Sequence, residues 1–290
     1  MITSPGYDVK KRAGRLCMAA TLAALLAFGL PFVSNAAPIE YAPFASIEFE
    51  GFFGSAEGRA GFQRETGALG TLNDLQADLG LPAERRAYRL SFSVRPLEHH
   101  VLRVYGTAPE HYKGSRVLLR ELRTRNAVYE PGTEISSQLE TAAFGFGYDL
   151  DFIVGPRWYA GFNGDFRYIR LMVRLEGSGQ GFEDTLAVDE MIPCIGTHVS
   201  SKMYRLLGRI GLPLALGGTA RMTYGMTPNF VNYVDIHAGL TVDFTSAVGP
   251  VFNAKVGFQR EIFFHDLEPF SGRIFETSRN GIYFTVGGAF

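Results

Sequence analysis

Several stretches of the chain alternate between apolar and polar positions. Tyr88, Leu90, Phe92 and Val94 interleave with Arg89, Ser91, Ser93 and Arg95. Ala142, Phe144, Phe146, Tyr148, Leu150 and Phe152 interleave with Ala143, Gly145, Gly147, Asp149 and Asp151. Phe162, Phe166 and Tyr168 alternate with Asn163, Asp165 and Arg167, and Val234, Ile236, Leu240, Val242 and Phe244 with Asp235, His237, Gly239, Thr241 and Asp243. Phe252, Val256 and Phe258 alternate with Asn253, Lys255 and Gln259. A period of two is that of a β-strand with one apolar face. The pattern predicts strands near 45–57, 86–95, 100–109, 135–153, 158–174, 192–212, 219–226, 232–244, 250–264 and 280–290. That makes ten. Pro193, Pro213 and Pro228 with Gly217-Gly218 blur the phase across 192–231, so eight and twelve strands are the alternatives.

Short links such as 95–99, 154–157 and 245–249 alternate with longer segments at 58–86, 107–134, 175–191 and 265–279. Segment 71–81 is expected to hold a short amphipathic helix with Gly80 as its stop. Asp74 and Asp78 would share its face, as a solvated surface or, less simply, as calcium ligands.

Alternation alone does not say whether the apolar face points in, as in a soluble sandwich, or out, as in a membrane barrel. The N-terminus bears on the choice. Lys10, Lys11, Arg12 and Arg15 precede an apolar run at 16–33, and Ser34-Asn35-Ala36 forms a small-residue site before Ala37. This reads as a secretory signal peptide over 1–36, with cleavage near Ala36 and a barrel domain over 37–290. No later run reaches the length of a transmembrane helix. The polar faces are rich in glycine and small residues, as a narrow curved lumen requires. The chain ends Gly281-Ile282-Tyr283-Phe284-Thr285-Val286-Gly287-Gly288-Ala289-Phe290, with Ile282, Phe284, Val286 and Phe290 on one face. This resembles the closing strand of bacterial outer-membrane proteins, and the mature chain is similar in general architecture to small OmpA- or porin-like barrels. The fold class expected is therefore all-β: a closed antiparallel transmembrane β-barrel of about ten strands. Short turns would face the periplasm and long loops the exterior. The resemblance implies that Phe284, Val286 and Phe290 form an assembly signal read by the barrel-assembly machinery.

Composition narrows function by exclusion. Loss of 1–36 removes four of 28 Lys and Arg and one of 29 Asp and Glu, leaving about −4, which carries no nucleic-acid footprint. Cys194 is the one cysteine left; no intramolecular disulfide can form, and a buried or lipid-facing thiol is expected. No zinc spacing, phosphate loop or dinucleotide motif occurs, and no cofactor is expected.

Arg89, Arg95, Arg103, Asp149, Asp151, Asp165, Arg167, Asp235, His237 and Lys255 lie on the polar faces and would converge in one lumen. Unpaired buried charge is costly, so a salt-bridged plug is one expectation. A polar channel or small-solute site is the other. Asp235 and His237, two apart on a strand, point the same way and could form a general base. The pair resembles half of the omptin site, in which an Asp/His pair faces two aspartates atop a ten-stranded barrel. The candidate partners Asp149 and Asp151 sit toward the opposite end of their strand, and the Trp-Thr-Asp stretch of omptins is absent. A lipid-modifying hydrolase using His198 would need a serine from another strand, because Ser200 lies about 7 Å along the same one.

These features favour a non-enzymatic, structural or porin-like outer-membrane barrel with a mostly filled lumen and exposed loops. The alternative is a hydrolase, lipid-modifying or omptin-like, with Asp235 and His237 at the outer rim. The partners expected are outer-membrane lipids and lipopolysaccharide, the latter approached by Arg116, Arg120, Arg123 and Arg125, and small polar solutes if the lumen is open.

Overall fold

A computed structural model describes residues 44–63, 69–97, 99–124, 127–154, 158–177, 183–205, 214–227, 231–246, 249–266 and 274–289. The expected signal peptide, its cleavage site, Arg125 and Phe290 lie outside the described residues.

In chain order the strands are β1 (Ala45–Gln63), β2 (Leu69–Asp74), β3 (Glu84–Leu97), β4 (His100–Thr107), β5 (Glu110–Val117), β6 (Leu122–Arg123), β7 (Val128–Tyr129) and β8 (Glu134–Val154). There follow β9 (Trp158–Gly177), β10 (Glu183–Arg205), β11 (Leu214–Met226), β12 (Val231–Ser246), β13 (Gly249–Asp266) and β14 (Ile274–Ala289). Neighbours pair antiparallel, and β14 returns to β1 from Ser46↔Ala289 to Gly61↔Ile274, closing the ring. β4 and β5 pair successive parts of β8, and β2 takes over on β1 above the stretch paired with β3. Ten staves therefore close the barrel. Closure satisfies the backbone groups of every stave without an edge in lipid.

The inward and outward faces exchange polarity partway up. On β9, Phe162, Phe166 and Tyr168 face outward with Asn163, Asp165 and Arg167 inside. Past Tyr168 the alternation continues in the same phase, but Ile169, Leu171, Val173 and Leu175 now point in and Arg170, Arg174 and Glu176 point out. β8 turns over likewise between Phe144 and Leu139, and β10 between Met191 and Val188. Outward positions on β1 change from Phe49 and Phe53 to Ser55, Glu57 and Arg59. The lower part is a membrane-spanning barrel with an apolar outer belt. The upper part is a barrel in water, apolar inside and charged outside.

This exchange changes the expected loops. Segment 175–191 is largely a hairpin of β9 and β10, 110–117 is strand β5, and β1 extends to Gln63. The helix expected at 71–81 is also corrected. β2 runs to Asp74, paired with Arg59, and the next residues make turns up to Gly80 at φ 68°. The ladder with β1 takes the residues that would have formed the first helical turn. Asp74 Oδ1 accepts the N–H groups of Gln76 (2.9 Å) and Ala77 (2.7 Å), while Asp78 accepts the N–H of Asp74 and pairs with Arg120.

The turn following β2 and the β6–β7 hairpin fold inward as a lid. Leu75, Leu79, Leu81, Leu118, Leu122 and Tyr129 join the inward aliphatics of β8, β9 and β10 in one apolar core with Tyr233, Phe263 and Phe275. The Ser137 hydroxyl donates to the Leu79 carbonyl and ties the lid to the wall. This core roofs the lumen.

Candidate functional site

Beneath the roof the lumen is crossed by side chains from opposite staves. Arg167 on β9 reaches to β12: its Nη1 lies 3.2 Å from Asp235 Oδ2 and its Nη2 3.3 Å from Asp165 Oδ2. Its Nε donates to the Tyr105 hydroxyl (2.7 Å), which donates to Asp165 (2.6 Å). The guanidinium also lies 5.2 Å and 4.5 Å from the ring centroids of Tyr105 and Tyr233. Above it Arg279 bonds Glu261 (2.8 Å), which accepts from Tyr233 (3.0 Å). Each arginine fork meets carboxylate oxygens, the strong geometry for such pairs.

Toward the end bearing Ala45 and Ala289, Asp149 is held by Arg221 (2.8 and 3.2 Å) and Arg103 (3.2 Å). Asp151 accepts from Arg95 (2.8 Å) and lies 2.6 Å from His198 Nε2. Lys255 pairs with Glu48 (2.6 Å), and Arg89 with Glu50 (3.5 Å). Glycines make the room: a side chain at Gly145 would meet the Tyr105 ring, and one at Gly147 the Arg103 guanidinium.

The structure sets Arg89, Arg95, Arg103, Asp149, Asp151, Asp165, Arg167, Asp235, His237 and Lys255 on inward faces of the membrane-level barrel, nine of them in ion pairs and His237 within 2.9 Å of Asp235. Cys194 also points inward and is buried. Phe284 and Val286 face outward in the belt. Sequence reading missed Glu48, Glu50, Tyr105, Arg221, Glu261 and Arg279. Each follows from extending the period of two: Glu48 and Glu50 alternate with Ile47 and Phe49, and Glu261 is in phase with Gln259.

His237 Nε2 lies 2.9 Å from Asp235 Oδ1, so that pair forms. It sits in the lumen below Tyr233 rather than at an open rim, and Asp235 is also engaged by Arg167 and Gln259. Asp149 and Asp151 bond to arginines and His198, not to Asp235 or His237. The four residues of the omptin-like arrangement are thus not brought together. Chemically, the lumen is a set of mutually neutralised charges.

Above the belt, where Asn232, Glu276 and Arg59 mark polar outward positions, His265 projects into the roof. It packs beside Phe263, its Nδ1 has no hydrogen-bond partner among the described residues, and Glu190 lies 3.5 Å from Nε2. Burial pushes its imidazole down to about 4 from the usual 6.5, and pushes the Glu190 carboxyl up. Between those two pH values the unfolded chain binds the proton and the folded one does not. His265 therefore withdraws stability as pH falls from 6.5 to 4, up to about 3 kcal/mol; Glu190 acts in the opposite sense. Thermal unfolding of the wild type and of His265→Gln across this window checks it. The variant is expected to lose less stability on acidification, and identical slopes would remove His265 as the cause.

No family model and no curated protein matches the sequence. Among solved structures the chain is similar to the outer membrane protease OmpT from Escherichia coli, at 10% identity and TM-score 0.45, covering 89% of this chain and 99% of that one. It is also similar to the translocator domain of the autotransporter NalP from Neisseria meningitidis, at 12% identity and TM-score 0.44, covering 99% of both chains. The toluene transporter TodX from Pseudomonas putida follows at 7% identity and TM-score 0.31, covering 85% of this chain and 90% of that one. The closed ring, its apolar belt and its polar lumen stand independently of these likenesses: the chain is a ten-stranded transmembrane β-barrel of the outer-membrane type.

Proposed function

We propose that the protein is a non-enzymatic, non-conducting outer-membrane barrel, a rigid stave ring that displays its roofed upper half at the cell surface. One observation carries this reading: the Arg167 cluster spans the lumen directly beneath a closed apolar roof. Small barrels of this order are normally filled by side chains, whereas open aqueous channels belong to much larger rings. The end with the short links would face the periplasm and the roofed end the exterior, after removal of 1–36. Arg86, Lys113, Arg170 and Arg174 point outward above the belt, interspersed with acidic side chains, at the height of lipopolysaccharide head groups. Outward Phe284 and Val286, with Phe290, would serve the assembly machinery.

Recording in planar bilayers tests the reading. The expected result is a folded, silent protein. Stable ion-carrying steps would overturn it in favour of a pore for small polar solutes. The hydrolase reading draws on one contact, His237 to Asp235. It requires a lipid- or peptide-hydrolysing activity that His237→Ala abolishes without altering folding.

A further inference from the structure

Arg85 differs from the other inward arginines. Arg89, Arg95, Arg103, Arg167, Arg221 and Arg279 each meet a carboxylate. Arg85, on the same inward face of β3, is 4% exposed, and neither Nη1 nor Nη2 has a hydrogen-bond partner among the described residues. Its guanidinium carbon lies 4.0 Å from the centroid of the Tyr112 ring. The nearby carboxylate, Glu110, is occupied elsewhere. It accepts from the Tyr112 hydroxyl (2.7 Å) and lies 3.6 Å from Arg279. Stacking uses the flat face of a guanidinium and leaves its edge free, the edge that grips carboxylate or phosphate with two parallel hydrogen bonds. A buried cation with that edge unfilled is costly, so the native site calls for an acceptor.

The wall beside Arg85 is irregular. The β3–β4 ladder stops at Arg89↔Thr107, with one more bond from Ala108 N–H to the Tyr88 carbonyl. Pro109 then ends the ladder, and β5 pairs only with β8. Where the next backbone pairing would fall, the Tyr112 hydroxyl accepts the Arg86 N–H at 3.1 Å instead. The gap between β2 and β5 is spanned by the turn segment, whose Gly80 abuts Gly114 and Ser115 with no backbone hydrogen bond between them. This seam lies on the water side of Tyr88, the last apolar outward residue of β3, between exposed Glu84 and Arg86.

We infer that Arg85, backed by Tyr112 at the β3–β5 seam, is the anchor of an oxyanion site that takes a phosphate group at the level of the lipid head groups. The phosphate comes either from a lipopolysaccharide head group or from a free solute. The site stands whether or not the lumen conducts.

The test uses protein purified from membranes. In neutral detergent, inorganic phosphate is titrated against chloride at matched ionic strength while the thermal unfolding midpoint is followed. In parallel, the midpoint is compared in phosphatidylcholine vesicles with and without lipopolysaccharide. Wild type is expected to show a saturable rise of about 3–5 °C. Arg85→Gln should lose it, and Arg85→Lys, which keeps the charge and loses the fork, should need at least about tenfold more phosphate. Arg59→Gln, an exposed change on the neighbouring strand, should respond as wild type. A rise with lipopolysaccharide that Arg85→Gln abolishes assigns the lipid source; a rise with phosphate alone assigns a free solute. No saturable rise in either arm, or an equal response from Arg85→Lys and wild type, overturns the inference. Arg85→Lys keeps the test open should Arg85→Gln fail to fold.

Discussion

Arg167→Met is expected to cost the barrel about 3–5 kcal/mol, the usual penalty for removing one partner of a buried ion pair. The arginine is 5% exposed and holds Asp165 and Asp235, with Glu261 at 4.0 Å. Without it, two carboxylates at membrane level face each other in a space roofed by apolar side chains, and the rings of Tyr105 and Tyr233 lose the cation between them. Methionine supplies comparable length and no charge, so the loss measures electrostatics more than packing. Arg167→Lys should fall between, because an ammonium group cannot hold Tyr105, Asp165 and Asp235 together as the fork does. Arg167→Met combined with Asp165→Asn and Asp235→Asn should recover much of the loss, since deleting both sides of a buried pair is far cheaper than deleting one. Urea unfolding in vesicles reads the stability, and bilayer recording reads the lumen. A loss under about 1 kcal/mol would mean that Arg167 is not the central strut.

The membrane-level half of most staves was legible because lipid outside and a polar lumen inside give a clean period of two; β10 and β11 were the exceptions, since Pro193 and Gly217-Gly218 interrupt their pattern. Phe144, Phe146 and Tyr148 against Gly145, Gly147 and Asp149 mark a strand with one apolar face. Above the belt the same alternation continues with its polarity reversed, as in Leu171, Val173 and Leu175 against Arg170, Arg174 and Glu176. Hydrophobicity there marks the inside and not the outside, so a scan for outward apolar faces finds loops where hairpins exist. Cross-lumen partners were hidden for a different reason. Asp235 and His237 share a strand, so their contact is local geometry, whereas Asp151 and His198 meet only because β8 and β10 both flank β9. Which carboxylate an arginine finds depends on the register and curvature of staves far apart in sequence. The stacking of Arg85 on Tyr112 was equally illegible, because its sequence neighbourhood is a run of charges like any other.

Val173→Asp and Arg174→Val, adjacent residues on β9, are expected to have very unequal consequences, although each moves a residue toward the pattern that the membrane half obeys. Val173 is 0% exposed, points into the roof and lies opposite Leu139 and Leu186 in the ladders. A carboxylate there has no cation among those neighbours, and a cost above about 4 kcal/mol follows from an unpaired buried charge. Arg174 points out into water, where its pair with Glu183 (2.8 Å) is half exposed and contributes little. Its replacement by valine should change stability by no more than about 0.5 kcal/mol. At membrane level the rule inverts: Phe166→Arg, outward in the belt, should cost about 2–4 kcal/mol. Trypsin digestion of the folded protein in vesicles separates the outcomes. Val173→Asp should loosen the roof and speed cleavage at exposed Arg120, while the membrane ring stays closed and protected. Were Val173→Asp tolerated and Arg174→Val stabilising, the lipid boundary would lie above this stretch of β9, and the roof would be part of the membrane span.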